Sequence, residues 1–397
     1  MFQHVDAYPG DPILTLNEEF MHDPRAGKVN LSIGVYLDET GRLPIMGAVV
    51  EAERLLSRDL TSRPYLPMEG NPGYRAQAQH LLFGQEHAML TARRIATVQT
   101  IGGSGALKVG ADFLHEYFPT ARVWVSDPTW DNHRAIFAGE GFAVDSYPYY
   151  SRETRLVDFP AMRAAITALP AGDIVVLHAC CHNPTGADLS EQQWRELATI
   201  FRERSLLAFF DIAYQGFGDG IDEDASAIRL FAAEGMPFLV ASSFSKNFSL
   251  YGERCGALHV ACPDSRQADN VLGQLKAAVR RTYSSPPTHG ARIIATVLES
   301  NDLRAAWDRE LSEMRTRIKA MREGLHASLL ARRPDADFGY LLKQRGMFSF
   351  TGLSPVQVRR LREEFALYLV GSGRICMAAL TAQTLAPVAD AIAQVLE

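Results

Sequence analysis

A bilayer-spanning helix needs ~18 or more consecutive apolar residues. No run in this chain comes near that: LLAFF at 206–210 and IVVL at 174–177 have the length of core strands. Cysteine is scarce and odd in number, five in 397 residues, which argues against a disulfide framework and for a reducing compartment, the cytoplasm. A basic excess is missing as well, with 40 Lys and Arg against 46 Asp and Glu and a formal net charge of −6. Nucleic acid is therefore not an expected partner, because its binders present a basic surplus or stripe. The local cluster Arg359, Arg360 and Arg362 runs straight into Glu363 and Glu364 and reads as a mixed, solvated helix face. The opening MFQHVDAYPGDPILTL has neither a basic n-region nor an apolar h-region, so neither a secretory leader nor a membrane role is expected. Metal ligation lacks its usual spacings too. His178-Ala-Cys-Cys-His182 offers no CxxC or HxxxH, no second ligand pair appears elsewhere, and no metal is expected.

What remains is ordinary globular composition, 47% hydrophobic and 22% charged with Gly 30 and Pro 20, which excludes wholesale disorder and collagen-like repeats. At ~100–200 residues per domain the length suits two or three domains, or one large domain with a small companion. Between about 98 and 245, RVWV (122–125), AVDSY (143–147), DIVVLHACC (173–181), LLAFFD (206–211) and FLVAS (238–242) read as buried strands. Cys180 and Cys181, if extended, point to opposite faces. Helical patterns fall between these runs at 104–118, 132–140, 158–169 and 190–204, the last opened by the capping box Ser190-Glu-Gln-Gln193. An earlier one covers 44–60. Strands alternating with helices imply α/β architecture, a mostly parallel sheet covered on both faces. Helices are expected at 264–281 and 287–299, and a connector helix at 301–332. Then FGYLLKQRGMFSFTG reads as two strands, Ser354 caps a helix, ALYLVGSGRICMA returns to strand, and 384–396 is helical. The expected division is 1–42 as an arm and part of the small domain, 43–312 as the large domain, and 313–397 as the small α+β domain.

In a parallel sheet, ligands bind at the carboxyl ends of strands. Those ends carry SDPTWDNH (126–133), HNPTG (182–186), DIAYQGF (211–217) and SFSKNFSLYGER (243–254). Taken singly, each feature has a plain explanation. GGSG is a turn before a helix, Trp130 a core residue, Asp211 a helix cap and Lys246 a surface lysine. Four polar strand ends in succession point instead to one pocket. A lysine just past a buried strand is costly unless paired, and desolvation with a nearby cation makes it a Schiff-base former. Ser243, Ser245 and Arg254 are the donors a phosphate requires. Gly102-Gly103-Ser104 opens a helix whose free N–H groups suit the same anion. Asp211 can pair with a pyridinium nitrogen, Tyr214 and Asn183 with a phenolic oxygen, and Trp130 can stack on a flat ring. Pyridoxal 5'-phosphate meets all these demands. A nicotinamide site at the same turn is disfavoured, since Gly103-x-Gly105-x-x-Lys108 has lysine where the third glycine belongs.

HNPTG, DIAYQGF and SFSKNFSLYGER together resemble the class I aminotransferases of the aspartate aminotransferase family. The likeness runs from NLSIGVYLDETG (30–41) to SGRICMA (372–378). YLPMEG (65–70), TIGGSGALKVGADFL (100–114) and VRRTYSSPP (279–287) are more similar still to the bacterial aromatic-amino-acid (tyrosine) aminotransferases. The resemblance implies a fold type I enzyme with a mostly parallel seven-stranded sheet in the large domain. It implies transfer of the amino group of tyrosine or phenylalanine to 2-oxoglutarate, with aspartate also accepted; the alternative is an aspartate aminotransferase with dicarboxylate preference. A β-lyase or decarboxylase on this fold, or a non-catalytic regulator, fits the two arginines Arg374 and Arg280 and the full reactive set less well. By resemblance, Lys246 attaches the cofactor and shuttles the proton, Asp211 holds the ring nitrogen, and Asn183 and Tyr214 bind the ring oxygen. Gly103, Ser104, Ser243, Ser245 and Arg254 take the phosphate, Trp130 covers the ring, and His178 supports Asp211. Arg374 grips the substrate α-carboxylate with Gly34 and Asn183 nearby. Tyr65 and Arg280 come from the second subunit of a homodimer, Arg280 facing a side-chain carboxylate.

Overall fold

The computed structural model describes residues 1–8, 10–58 and 62–396. Its strands are β1 (Val29–Asn30), β2 (Ile95–Ile101), β3 (Val123–Asp127), β4 (Val144–Pro148), β5 (Ile174–His178), β6 (Leu207–Ile212), β7 (Phe238–Ser243), β8 (Cys255–Ala261), β9 (Phe348–Phe350), β10 (Leu367–Tyr368) and β11 (Arg374–Cys376). Seven of them form one sheet in the order β2-β8-β7-β6-β5-β3-β4. All its pairings are parallel except those of β8, which runs antiparallel to both β2 and β7. Strands β5, β7 and β8 are buried along their whole length, as expected where helices cover both faces. Successive residues serve opposite sides: Phe209 packs on Phe137 at 5.7 Å between ring centroids, and Phe210 on Phe231 at 5.0 Å. Helix Gly102–Tyr117 approaches closely because Gly110 has no side chain; a Cβ there would lie 2.5 Å from Phe209 Cζ.

The five strands and four intervening helices expected from the pattern are present, and Ser190 forms the anticipated capping box with Gln193. The early helix is Gly47–Arg58, with expected positions 59 and 60 outside the described residues. Strands β2 and β8 escaped notice because polar residues interrupt them. Those residues satisfy one another inside the protein: His259 bonds Thr97 Oγ1 at 3.0 Å and Ser242 Oγ at 3.1 Å. Helices Pro12–His22, Pro72–Phe83 and Ser226–Ala233 were likewise not anticipated.

FGYLLKQRGMFSFTG is not a pair of strands. Asp337 accepts the Gly339 N–H at 2.7 Å, and a short helix, Tyr340–Lys343, follows before β9 pairs with β11. Cys181 is not extended either, with φ at +51°. The early segment does pack with the C-terminal third, β1 pairing with β10 and Leu31 O accepting Cys376 N at 2.9 Å. Helix Asn301–Arg332 links the two regions. Trp307 near its start stacks on Phe248 at 4.8 Å, and Gly324 further along is covered by Leu385 of helix Ala382–Val395. Among the described residues no helix is long and apolar enough to cross a membrane.

Burial pushes His259 down to about 3. Below the ordinary value of ~6.5 the unfolded chain takes up a proton that folded His259 refuses, so its contribution to stability declines as pH falls from 6.5 toward 3. Between pH 7 and 5 this costs about 2 kcal/mol. Urea unfolding of His259→Gln at both pH values should show a shallower loss than the parent by that amount. Identical losses would mean that His259 is not refusing the proton.

Candidate active site

The carboxyl ends of β5, β6 and β7 and the start of helix Gly102–Tyr117 enclose a cavity of about 220 Å³. Thirteen residues expected from sequence line it: Gly34, Gly103, Ser104, Trp130, His178, Asn183, Asp211, Tyr214, Ser243, Ser245, Lys246, Arg254 and Arg374. Tyr65 and Arg280 do not. Tyr65 is 94% exposed, and Arg280 is exposed and donates to Ser284 Oγ.

Lys246 follows β7 in a turn closed by Ser249 N–H donating to Lys246 O at 3.0 Å. The turn is pinned from below. Trp307 Nε1 donates to Asn247 O at 2.7 Å, and Asn247 Nδ2 to Gln215 O at 3.3 Å. Lys246 is half-buried, its Nζ 5.2 Å from the Tyr214 ring centroid. Burial lowers the amine to about 8; Asp211 opposes this, while Arg254 and Arg374 add to it. An amine so placed is available as a nucleophile and as a proton carrier near neutrality.

Burial, the largest single influence, would raise Asp211, and a hydrogen bond from His133 leads the contributions that oppose it. With the charges of His133, His178 and Lys246, that bond keeps the carboxyl below its usual range. His133 Nε2 lies 3.0 Å from Asp211 Oδ2, and its Nδ1 lies 2.8 Å from Thr129 Oγ1. His178, the expected support, does not make this bond. It stands beside Asp211 in the parallel register of β5 and β6, but its Nε2 is buried without a partner. Burial and neighbouring His133 drive it down to about 3. The SDPTWDNH segment held the missed signal. Trp130 and His133 lie one helical turn apart at the start of helix Asp131–Gly139, their rings 5.4 Å apart.

On the far wall, Arg254 Nη1 donates to Ser245 Oγ at 3.2 Å, and Ser243 Oγ lies 3.2 Å from Ser245 Oγ. Gly102 has φ of +64°, and a Cβ on it would collide with the Arg254 guanidinium; one on Gly103 would press on Ser243 at 3.2 Å. Bare backbone N–H groups, two hydroxyls and a guanidinium thus converge on one spot, a cradle for a phosphate.

Opposite, Arg374 on β11 donates to Ser32 O at 2.6 Å and to Asn183 Oδ1 at 3.3 Å, with its guanidinium 4.3 Å from the Phe348 ring centroid. Its Nε is buried without a partner, an open donor for a carboxylate. Gly34 is required there, because a Cβ would meet Phe348 Cζ at 2.8 Å. Ser32 and Phe348 were not foreseen from sequence, since each acts only through contact with distant Arg374. Asn183 Nδ2 also reaches Tyr214 Oη at 3.5 Å, and burial raises the Tyr214 phenol far above its ordinary value. A pyridine ring bearing a phosphate and an aldehyde fits this donor set: anion cradle, carboxylate, hydroxyl and amide pair, and amine.

The sequence profile described as "Aminotransferase class I and II" matches residues 26–392. An aromatic-amino-acid aminotransferase of Escherichia coli K12 is 57% identical over 397 residues, 100% of both chains. An aspartate aminotransferase of Pseudomonas aeruginosa is 49% identical over 396 residues, again 100% of both. The crystal structure of an aromatic-amino-acid aminotransferase from Burkholderia pseudomallei, covalently bound to pyridoxal phosphate, superposes with a TM-score of 0.98 at 51% identity, covering 100% of each chain.

Without the His133 bond, desolvation of Asp211 loses its main opponent. His133→Asn should therefore raise the Asp211 carboxyl and lower turnover by about 10–100-fold, the usual loss for a partner one shell out. The pH dependence of the bound cofactor's absorbance and kcat together check this. A change under threefold in turnover with an unmoved pH profile would show that His133 does not tune Asp211.

Proposed function

The chain belongs to the class I and II aminotransferases, and on that basis we propose that it moves the amino group of tyrosine and phenylalanine to 2-oxoglutarate in two half-reactions, accepting aspartate as well. The observation that carries this reading is Lys246: a half-buried amine of lowered basicity, sharing one cavity with the Asp211 carboxylate, the phosphate cradle and Arg374 with its open donor. Pyridoxal 5'-phosphate, when bound, supplies an electron sink for the bond broken at the substrate Cα.

The protein's own residues do the rest. Ser104, Ser243, Ser245 and Arg254, with the Gly103 backbone, fix the phosphate. Asp211 keeps the ring nitrogen protonated, Asn183 and Tyr214 hold the ring oxygen, and Trp130 covers the ring face. Arg374 binds the α-carboxylate, which orients the Cα proton toward Lys246. The Lys246 amine would take that proton and hold it for return to Cα or to the cofactor's aldehyde carbon, which requires a group that is partly neutral near pH 7.

We assign Gly34 and Arg374 to the unit formed by 1–42 and 313–397, and the lysine pocket to 43–312, so that substrate bridges the two. Exposed Tyr65 and Arg280 are assigned to the neighbouring site of a homodimer; exposed apolar Ile101, which lines a surface cavity with Tyr65, supports a covered face. The five free cysteines support a reducing, cytoplasmic setting. The direct test of function is kcat/KM for tyrosine, phenylalanine and aspartate with 2-oxoglutarate. Activity confined to aspartate would overturn the aromatic reading.

Lys246→Ala should bind the cofactor yet lose turnover by at least the ~10²–10⁴-fold that acid–base catalysis contributes. Near-normal kcat would remove Lys246 from the mechanism.

Arg280→Ala should lower kcat/KM for aspartate by about 2–5 kcal/mol, the value of a charge pair, and change phenylalanine far less. An aromatic ring needs a dry apolar pocket, so the guanidinium must turn to solvent when phenylalanine binds. Single-turnover stopped-flow with each amino acid separates the cases, and equal losses would make Arg280 structural.

A further inference from the structure

Behind the cofactor pocket stands a second reactive group to which the transamination reading gives no role: Cys180, Cys181 and Asp224. All three are buried, and their two Sγ atoms and a carboxylate oxygen lie within 4.8 Å of one another. Adjacent side chains of an extended segment point apart. The left-handed backbone at Cys181, φ +51°, breaks that alternation and brings both thiols to one side. Asp188 holds the turn by accepting the N–H groups of Cys181 at 2.7 Å and His182 at 2.8 Å. Asp224 enters from the opposite side, oriented by the N–H groups of Gly216, Gly218 and Asp219 at 2.8–2.9 Å. Those three bonds leave a lone pair of the carboxylate unused. Cys180 and Asp224 also line a surface cavity of about 720 Å³ in which acidic side chains outnumber basic ones. A cation can therefore reach Cys180 and Asp224 and is drawn toward them.

We propose that Cys180, Cys181 and Asp224 form a binding site for a thiophilic divalent cation of the Cd²⁺ or Zn²⁺ type, separate from the cofactor pocket. Two sulfurs and one carboxylate oxygen are a soft-to-borderline donor set, with a fourth position left for water. At a metal–sulfur length of ~2.3 Å, tetrahedral ligands stand roughly 3.7 Å apart, so side-chain rotation closes the site. Each sulfur bonds the metal as its S–H proton leaves to solvent, with no change of oxidation state. Both thiols begin neutral. Both are buried, and a thiol is ordinarily protonated at neutral pH, its usual value being ~8.5. Binding thus releases close to two protons near pH 7 and tightens as pH rises.

The site is coupled to the active centre. The Cys181 thiol points at Tyr214 O, 3.9 Å away, and Cys181 is two residues from Asn183. Loss of that proton to solvent as the metal binds removes the contact and shifts the segment that carries Asn183, so occupancy inhibits.

Titration of the cofactor-loaded enzyme with Cd²⁺, followed by thiolate-to-metal charge-transfer absorbance, tests this. The expected result is one Cd²⁺ per chain, about two protons released, and turnover lost in step. Cys180→Ser and Cys181→Ser should each weaken binding by more than the ~10–100-fold typical of an outer partner. Each should also abolish the inhibition, measured against that variant's own metal-free rate. Cys262→Ser, a buried thiol elsewhere, should behave as the parent. Binding that is unchanged in both serine variants would overturn the proposal and point to another cluster, such as His133, His178 and Asp211. So would the lack of any charge-transfer band.

Discussion

A primary amine is drawn out of bulk water at Lys246 with one carboxylate and two guanidiniums near it, and the rest of the structure is arranged around keeping it there. Water would hold the amine charged; the pocket brings it down to about 8. Two features set the balance. Strand β6 delivers Asp211 close enough to moderate the desolvation, and Arg254 and Arg374 prevent the carboxylate from over-stabilising the charge. Moving Asp211 by one strand position would put its side chain on the other face of the sheet. The parallel register of β5, β6 and β7 is therefore part of the chemistry.

Rigidity in the lysine turn comes from outside the sheet. The Trp307 indole, buried on the long helix, stacks on Phe248 and bonds Asn247 O, so the helix that joins the two regions also supports the reactive loop. Arg374 depends on similar distant support. Its two donor bonds run to Ser32 and Asn183, and its flat face rests on Phe348. Arg322, itself buried, donates to the carbonyl oxygens of Gly346 and Phe348, tying that strand to the same helix. The amine and the guanidinium on opposite sides of the cavity are thus both anchored to helix Asn301–Arg332.

The segment His178–Asp188 serves two sites at once. Its front presents Asn183 to the cofactor pocket, and its back presents Cys180 and Cys181 to Asp224. One left-handed residue, Cys181, makes the two-sided arrangement possible. Asp188, bonded to two successive N–H groups, ties the turn together.

The alternation of apolar strands with amphipathic helices, and the polar residues at the strand ends, were enough to locate the pocket and most of its lining. Both are local patterns, written within a few residues of one another, as in the Ser243–Arg254 stretch. What sequence did not reveal depends on contact between distant segments. Strands β2 and β8 hide because Thr97 and His259 look too polar until each is seen to satisfy the other. His178 and His133 are equally plausible partners for Asp211 by residue type; only the fold, by placing His133 Nε2 at 3.0 Å, chose between them. Tyr65 and Arg280 remain outside the cavity of a single chain. The pattern of a chain fixes which faces are buried. Which polar atoms meet across those faces is decided by packing, because a hydrogen bond is lost within a few tenths of an ångström and no periodicity encodes so short a distance.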